Sequence, residues 1–212
     1  MSDIHIVFAA GRGGAPRRHA ALIERIEAAG IGVSAPDFPM LANQRPTAQE
    51  LTARAEALAE AIAAAPAGAP VVGVGHSIGA TLLLALAGGQ MWLDRSGPLP
   101  SPRSARLVGL VLLAPPVGFF GAPGAVERVA LPLMFRVGAV DTLTPPAALL
   151  ELVERLRPRC PVDYAVLPDA GHFAFMDVAP PGHEAEVAAS AQLRAGLAGE
   201  IVRFARDIEG AQ

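Results

Sequence analysis

The sequence predicts an α/β protein folded as one domain over residues 1–212, with about six mainly parallel strands flanked by helices. Three observations carry this expectation. Short apolar runs alternate with amphipathic stretches along the whole chain, the pattern of β-α-β units feeding a parallel sheet. Hydrophobic residues make up 52% of the chain and charged residues 17%, which suits a sizeable core and excludes a disordered chain. No internal repeat, heptad or shift of composition marks a boundary, and 212 residues suit one large domain.

Taken in order, Ile4 to Phe8 is the first strand, and the loop Gly11-Arg12-Gly13-Gly14 follows it. A helix is expected from about Arg17 to Ala29, with Pro16 suited to its first turn and Gly30 to its stop. Ile31 to Ala35 is the second strand. Thr47-Ala48-Gln49-Glu50 has the spacing of a capping box, and Leu51, Ala55, Leu58 and Ile62 then recur at helical spacing until Pro66. Val71 to Val74 reads as a buried third strand, followed by a helix carrying Leu82, Leu83, Leu84 and Leu86. Gly88 to Arg106, rich in Gly, Pro, Ser and Arg, is expected to be a surface loop. Leu107 to Leu113 and Leu131 to Val137 are the fourth and fifth strands. Thr144-Pro145-Pro146 opens a helix reaching about Leu156, Val162 to Leu167 is the sixth strand, and the last helix lies between Glu184 and Ile208.

Charge and cysteine usage narrow the classes of function. The formal net charge is −3, and all 17 basic side chains are arginines, with no basic face for nucleic acid. Cys160 is the sole cysteine, so an internal disulfide is excluded; it is expected to be an idle thiol in a reducing cytoplasm. Met1-Ser2-Asp3 lacks the basic segment of a signal peptide. The uncharged run from Leu107 to Val126 is long enough to suggest a membrane span, but Pro115, Pro116, Gly118, Gly121, Pro123 and Gly124 would break it, so a strand and a loop are expected. No membrane and no nucleic-acid partner is expected, only a small-molecule substrate.

The most informative stretch is Gly75-His76-Ser77-Ile78-Gly79, a Gly-x-Ser-x-Gly placed between an apolar strand and a helix-forming run. A serine on such a sharp turn projects its hydroxyl beyond the sheet edge, and strand and helix then approach too closely for side chains at Gly75 and Gly79. The backbone N–H of Ile78, at the helix N-terminus, would point at a developing oxyanion. An ordinary β-α turn with a serine cap is the bland alternative. A serine hydroxyl needs a histidine to take its proton, and that histidine needs a carboxylate to hold its tautomer. Asp141 leaves the fifth strand just before a helix, and His172 lies in the loop beyond the sixth, so both belong to one sheet edge. Asp169 is the alternative acid. His76 is expected to pack or to hydrogen-bond, His5 to be structural and His19 to sit solvated on a helix face. His183 either reaches the site rim or stays in solvent. No pair of histidines has the spacing of a metal site, so no metal is expected.

Together Gly-His-Ser-Ile-Gly, Asp141 before Thr-Leu-Thr-Pro, and Gly171-His172 resemble the α/β-hydrolase superfamily, and the resemblance runs from Ile4 to Phe204. It implies an α/β-hydrolase fold that begins at the family's third strand, with Ser77, Asp141 and His172 as the catalytic triad and no cofactor. Where the family reads His-Gly followed by an oxyanion residue, this chain has Ala10-Gly11-Arg12; the resemblance makes the Arg12 backbone N–H the second oxyanion donor beside Ile78. Only Pro115 to Ala130 stands where many relatives insert a cap, so the cap is minimal. This is similar to small carboxylesterases, thioesterases and dienelactone-hydrolase-like proteins, and it implies cleavage of a carboxylic ester or thioester through an acyl-enzyme. A non-catalytic ligand-binding relative, or cofactor-free lyase or peroxidase-like chemistry with the same triad, are the alternatives.

Phe119, Phe120, Phe173 and Phe175, with Met176, are expected either to wall an acyl pocket or to pack loops. Arg12, Arg17 and Arg18 cluster near a helix N-terminus, where they would attract an anionic group or remain solvated. Trp92 is expected at the opposite edge of the sheet, in a structural role or at a subunit contact.

Overall fold

A computed structural model of the chain describes residues 4–42 and 45–210. Met1, Ser2 and Asp3, read above for a targeting segment, lie outside the described residues. Among the described residues six strands form one sheet: β1 (His5–Ala9), β2 (Gly32–Ser34), β3 (Val71–His76), β4 (Leu107–Leu113), β5 (Leu133–Gly138) and β6 (Val162–Leu167). Their order is β2-β1-β3-β4-β5-β6, and every pairing is parallel. Among the described residues no helix is long and apolar enough to cross a membrane.

Parallel strands buried on both faces need helices on both faces, and period-two alternation decides which residue goes where. Val7, Leu110, Leu112 and Phe135 face one core, shared with α2 (Ala48–Ala64), α3 (Ile78–Leu86) and α4 (Pro146–Leu156). Ile6, Phe8, Val111 and Leu113 face the other, shared with α1 (Ala20–Ala28) and α6 (Ala191–Glu209). All residues of α3 are buried, as its unbroken apolar run requires.

Local signals account for several boundaries. Thr47 and Glu50 close the capping box: the Glu50 N–H donates to Thr47 Oγ1 at 3.2 Å and the Thr47 N–H donates to Glu50 Oε2 at 2.8 Å. Gly30 follows the end of α1 at φ +87°, the left-handed stop that a Cβ would strain. At the other end of α2, Arg106 donates to the carbonyls of Ile62, Ala63, Ala65, Pro66 and Ala69 at 2.7–3.0 Å, satisfying groups that a helix C-terminus leaves free.

Some expectations change. Pro16–His19 forms a 3-10 turn before α1 instead of its first α turn. The single last helix is two, α5 (Glu184–Ala189) and α6, broken at Ser190, whose hydroxyl donates to the Glu186 carbonyl at 2.9 Å. Trp92 is not at the far edge. After α3 the chain climbs back along residues 117–125, with the Trp92 N–H on the Phe119 carbonyl (2.8 Å) and the Gln90 N–H on that of Ala125 (2.6 Å).

Candidate active site

The three residues singled out on three separate loops meet at the C-terminal edge of the sheet. Ser77 sits between β3 and α3 at φ 54°, ψ −131°, a conformation that L-residues rarely hold and that surrounding packing must impose. That packing is visible at the two glycines. A Cβ on Gly75 would lie 2.7 Å from the Ala80 nitrogen of α3, and one on Gly79 would collide with the carbonyl oxygens of Ala9 and Ala10 at the end of β1. Backbone meets backbone at both places, so only glycine lets the turn close.

The Ser77 hydroxyl lies 3.0 Å from His172 Nε2, and His172 Nδ1 lies 2.9 Å from Asp141 Oδ2. An ionised carboxylate only accepts, so Nδ1 carries the proton and Nε2 is free to accept from the serine. Asp141 also accepts from the N–H groups of Leu143 and Thr144 at 2.8 Å and from the Thr144 hydroxyl at 2.5 Å. Burial pushes the Asp141 carboxyl up, but His172 and the Thr144 donors outweigh it and hold its pKa below the ordinary carboxylate range. Asp169, the alternative acid, instead occupies a turn at φ 57°.

Behind His172 runs a chain of imidazoles that the sequence did not announce. His76 Nε2 donates to the His172 carbonyl at 2.9 Å, and His76 Nδ1 lies 3.2 Å from His19 Nε2. A carbonyl can only accept, so His76 presents Nδ1 as an acceptor and His19 supplies the Nε2 proton. His19 Nδ1 is buried without a partner among the described residues. This corrects the solvated helix face expected for His19: the 3-10 turn rotates the ring inward, 4.9 Å from that of Phe8, leaving the residue 1% exposed. Burial, then the charges of Arg18 and Arg194, lower its pKa to about 3; burial also sets His76 well below the imidazole range. His5 bonds Ser34 Oγ at 2.8 Å, the structural role foreseen for it.

A cavity of about 580 Å³ opens over Ser77, with Gly11, Arg12, Arg18, His172, Phe173 and Met176 among its walls. Leu143 separates it from a second cavity of about 430 Å³, which Trp92, Phe119, Val117 and Pro115 line. Of the four expected pocket phenylalanines, Phe173 lines the first cavity and Phe119 the second. Phe120 and Phe175 do not wall a pocket and take the packing alternative: each is fully buried, Phe120 in the core shared with α3 and Phe175 in that shared with α6. His183 packs at a tilt against Phe173 of the cavity wall, ring centroids 4.2 Å apart. Arg18 lines the Ser77 cavity, whereas Arg17 is exposed and faces Asp37 at 4.0 Å. Cys160 is buried, and burial raises its thiol pKa, which disfavours the reactive thiolate.

The loop from Gly11 to Gly14 closes over the serine. A Cβ on Gly11 would stand 3.2 Å from Ser77 Cβ, which brings this backbone against the serine. The N–H of Ile78, the first residue of α3, has no acceptor within its own helix. The loop is held from behind by a residue that sequence reasoning missed. Arg54, on α2 and 4% exposed, donates to the carbonyls of Gly11 and Arg12 at 2.9 Å each and to that of Pro39. The Arg12 side chain turns outward onto the carbonyls of Leu41 and Ala42, 3.2 Å away. Only an arginine among apolar residues on the α2 face could have marked Arg54 in the sequence.

The fold is that of the α/β hydrolases, single-domain and with a minimal cap. A structure from Agrobacterium tumefaciens, described as a protein of unknown function and candidate α/β hydrolase, is similar at TM-score 0.65 and 16% identity, over 96% of this chain and 87% of that one. Esterase 2 of Thermogutta terrifontis matches at TM-score 0.64 and 19% identity, over 95% and 83%. A protein of Xanthomonas campestris described as a hydrolase of the α/β superfamily matches at TM-score 0.58 and 23% identity, over 92% and 98%. No family model matches the chain, and no curated protein matches it in sequence.

Proposed function

We propose that this protein is a serine hydrolase that cleaves a carboxylic ester or thioester of a small substrate through an acyl-enzyme on Ser77. The observation that carries the reading is the hydrogen-bonded line from Ser77 Oγ through His172 to Asp141, at 3.0 and 2.9 Å. In this reading His172 Nε2 takes the serine proton as Oγ attacks the acyl carbon. Asp141 holds the tautomer and offsets the imidazolium charge. The carbonyl oxygen becomes an oxyanion, received by the backbone N–H groups of Arg12 and Ile78. The imidazolium then protonates the leaving alcohol or thiol, and water, deprotonated by His172, releases the acid and restores Ser77. Every step uses side chains and backbone of this chain, and no cofactor is invoked. The similarity to esterases such as that of Thermogutta terrifontis supports the choice of ester chemistry. A cytoplasmic setting belongs to the same reading, supported by a lone, buried and unpaired thiol.

The test is turnover of short- and long-chain aryl esters and acyl-thioesters by wild type and Ser77→Ala. A fall in kcat of at least about 10⁴-fold is expected on losing the nucleophile, together with labelling of Ser77 by a fluorophosphonate. Absence of both turnover and labelling in wild type would overturn the hydrolase and leave a ligand-binding protein.

A further inference from the structure

We propose that Arg54 is a positioning residue of the oxyanion site, holding and polarising through its guanidinium the peptide group whose other end is the Arg12 N–H. This rests on the hydrolase reading and adds a residue to it. The Gly11 carbonyl and the Arg12 nitrogen belong to one amide, so the donor at 2.9 Å on the oxygen acts on the hydrogen at the opposite end. A cation at the carbonyl draws electron density along the conjugated O–C–N unit and leaves the N–H more positive, the sense in which hydrogen bonds in a chain strengthen one another. The second arm of the fork, also at 2.9 Å, does the same to the next amide, Arg12 to Gly13. Planar guanidinium geometry suits two adjacent carbonyls, which fixes both direction and distance.

Burial and pairing argue that stability alone does not explain this residue. Arg54 is 4% exposed, and no salt bridge to it is formed among the described residues. The carboxylate that acts on it is that of Glu50, which is occupied by Thr47 and the Ala42 N–H. Its partners are three main-chain carbonyls and the face of Phe38, 5.4 Å from the guanidinium carbon. A buried cation whose direct contacts are carbonyl dipoles and a ring face, with no paired carboxylate among the described residues, is an expensive way to pin a loop. It is a direct way to place a positive charge one peptide group from a reacting oxygen. Gly11 packs against Ser77, as its missing Cβ shows, so the polarised amide lies at the nucleophile and not at a distance from it.

The test is kinetics of Arg54→Met, with thermal unfolding measured in parallel. The expected result is a fall in kcat of about 10- to 100-fold with KM changed less than about threefold, somewhat less than the loss of an oxyanion donor outright. Affinity for an arylboronic acid, which forms a tetrahedral adduct on Ser77, should fall by a similar factor, while affinity for an uncleavable substrate amide stays level. Arg54→Gln keeps a donor without the charge and serves if Arg54→Met does not fold; it should show the same split. A folded variant with wild-type kcat, or with KM raised and kcat unchanged, overturns the proposal while leaving the hydrolase standing. Wild type without Ser77-dependent turnover overturns the hydrolase and this proposal with it.

Discussion

His19 and His76 are imidazoles held where a positive charge is penalised, and this has a consequence for stability. Burial is the leading cause in both, joined in His19 by the charges of Arg18 and Arg194, and it lowers the His19 pKa to about 3. The unfolded chain takes up protons on these rings as pH falls below about 6.5, while the folded protein does not. The unfolded state then binds more protons, so stability is fully present above that pH and declines as pH falls toward 3. Each ring that stays neutral contributes a slope of about 1.4 kcal/mol per pH unit in this window. Urea midpoints between pH 7 and pH 4.5 should therefore fall, and His19→Phe should make the fall shallower. A flat profile in wild type would contradict the neutral imidazole chain. Nothing in the sequence announced the chain. His19 and His76 are 57 residues apart, and a ring near the start of an amphipathic run reads as solvated until the 3-10 turn is known.

β4 begins, and β6 begins and ends, at the residue expected, because flanking Arg106, Pro161 and Pro168 each interrupt the pattern on a single residue. β3 was legible only as far as Val74, since Gly75 and His76 read as turn yet continue the ladder to Leu112 and Leu113 of β4. The break at Ser190 was not legible: the stretch is rich in alanine and carries neither proline nor glycine at the break, and its cause is the packing of α5 on the His172 turn, where Glu186 accepts from the Phe173 N–H at 2.6 Å. The junction of β3 and α3, by contrast, was written out in its glycines. Gly79→Ala would drive a methyl group into the Ala9 oxygen, and both sides are backbone. The helix must then move away from β1, carrying the Ile78 N–H with it. The expected outcome is a loss of about 1–3 kcal/mol or more from overpacking together with loss of Ser77 labelling, read by denaturation and fluorophosphonate labelling. A variant with wild-type stability and labelling would show that the turn has slack that the contact does not suggest.

At the scale of the whole molecule, parallel order brings every loop after a strand to one edge, and this is why Ser77, Asp141 and His172 were legible although 64 and 31 residues apart. What was illegible comes from contacts between layers. Arg54 reaches the loop after β1 from α2, Trp92 returns to the second cavity, and Phe120 and Phe175 turn inward; none of these leaves a periodic trace. A similar crossing joins Arg136 of β5 to Asp163 of β6 and Glu200 of α6, both at 2.7 Å, with the arginine side chain 7% exposed. Beyond fastening three elements, that contact places a charge on the outermost strand of the sheet. β6 closes the row of strands, so among the described residues one of its two edges has no neighbouring strand, and Val166 on this strand is 40% exposed. Such an edge invites pairing between molecules unless a charge stands on it. The Asp163 carboxylate, 58% exposed while bound to Arg136, is that charge. Asp163→Val would leave the whole of β6, from Val162 to Leu167, as an uncharged β-prone run, and concentrated solutions should turn cloudy on warming well before wild type does. Equal light scattering from the two proteins would assign the protection of this edge to something other than Asp163.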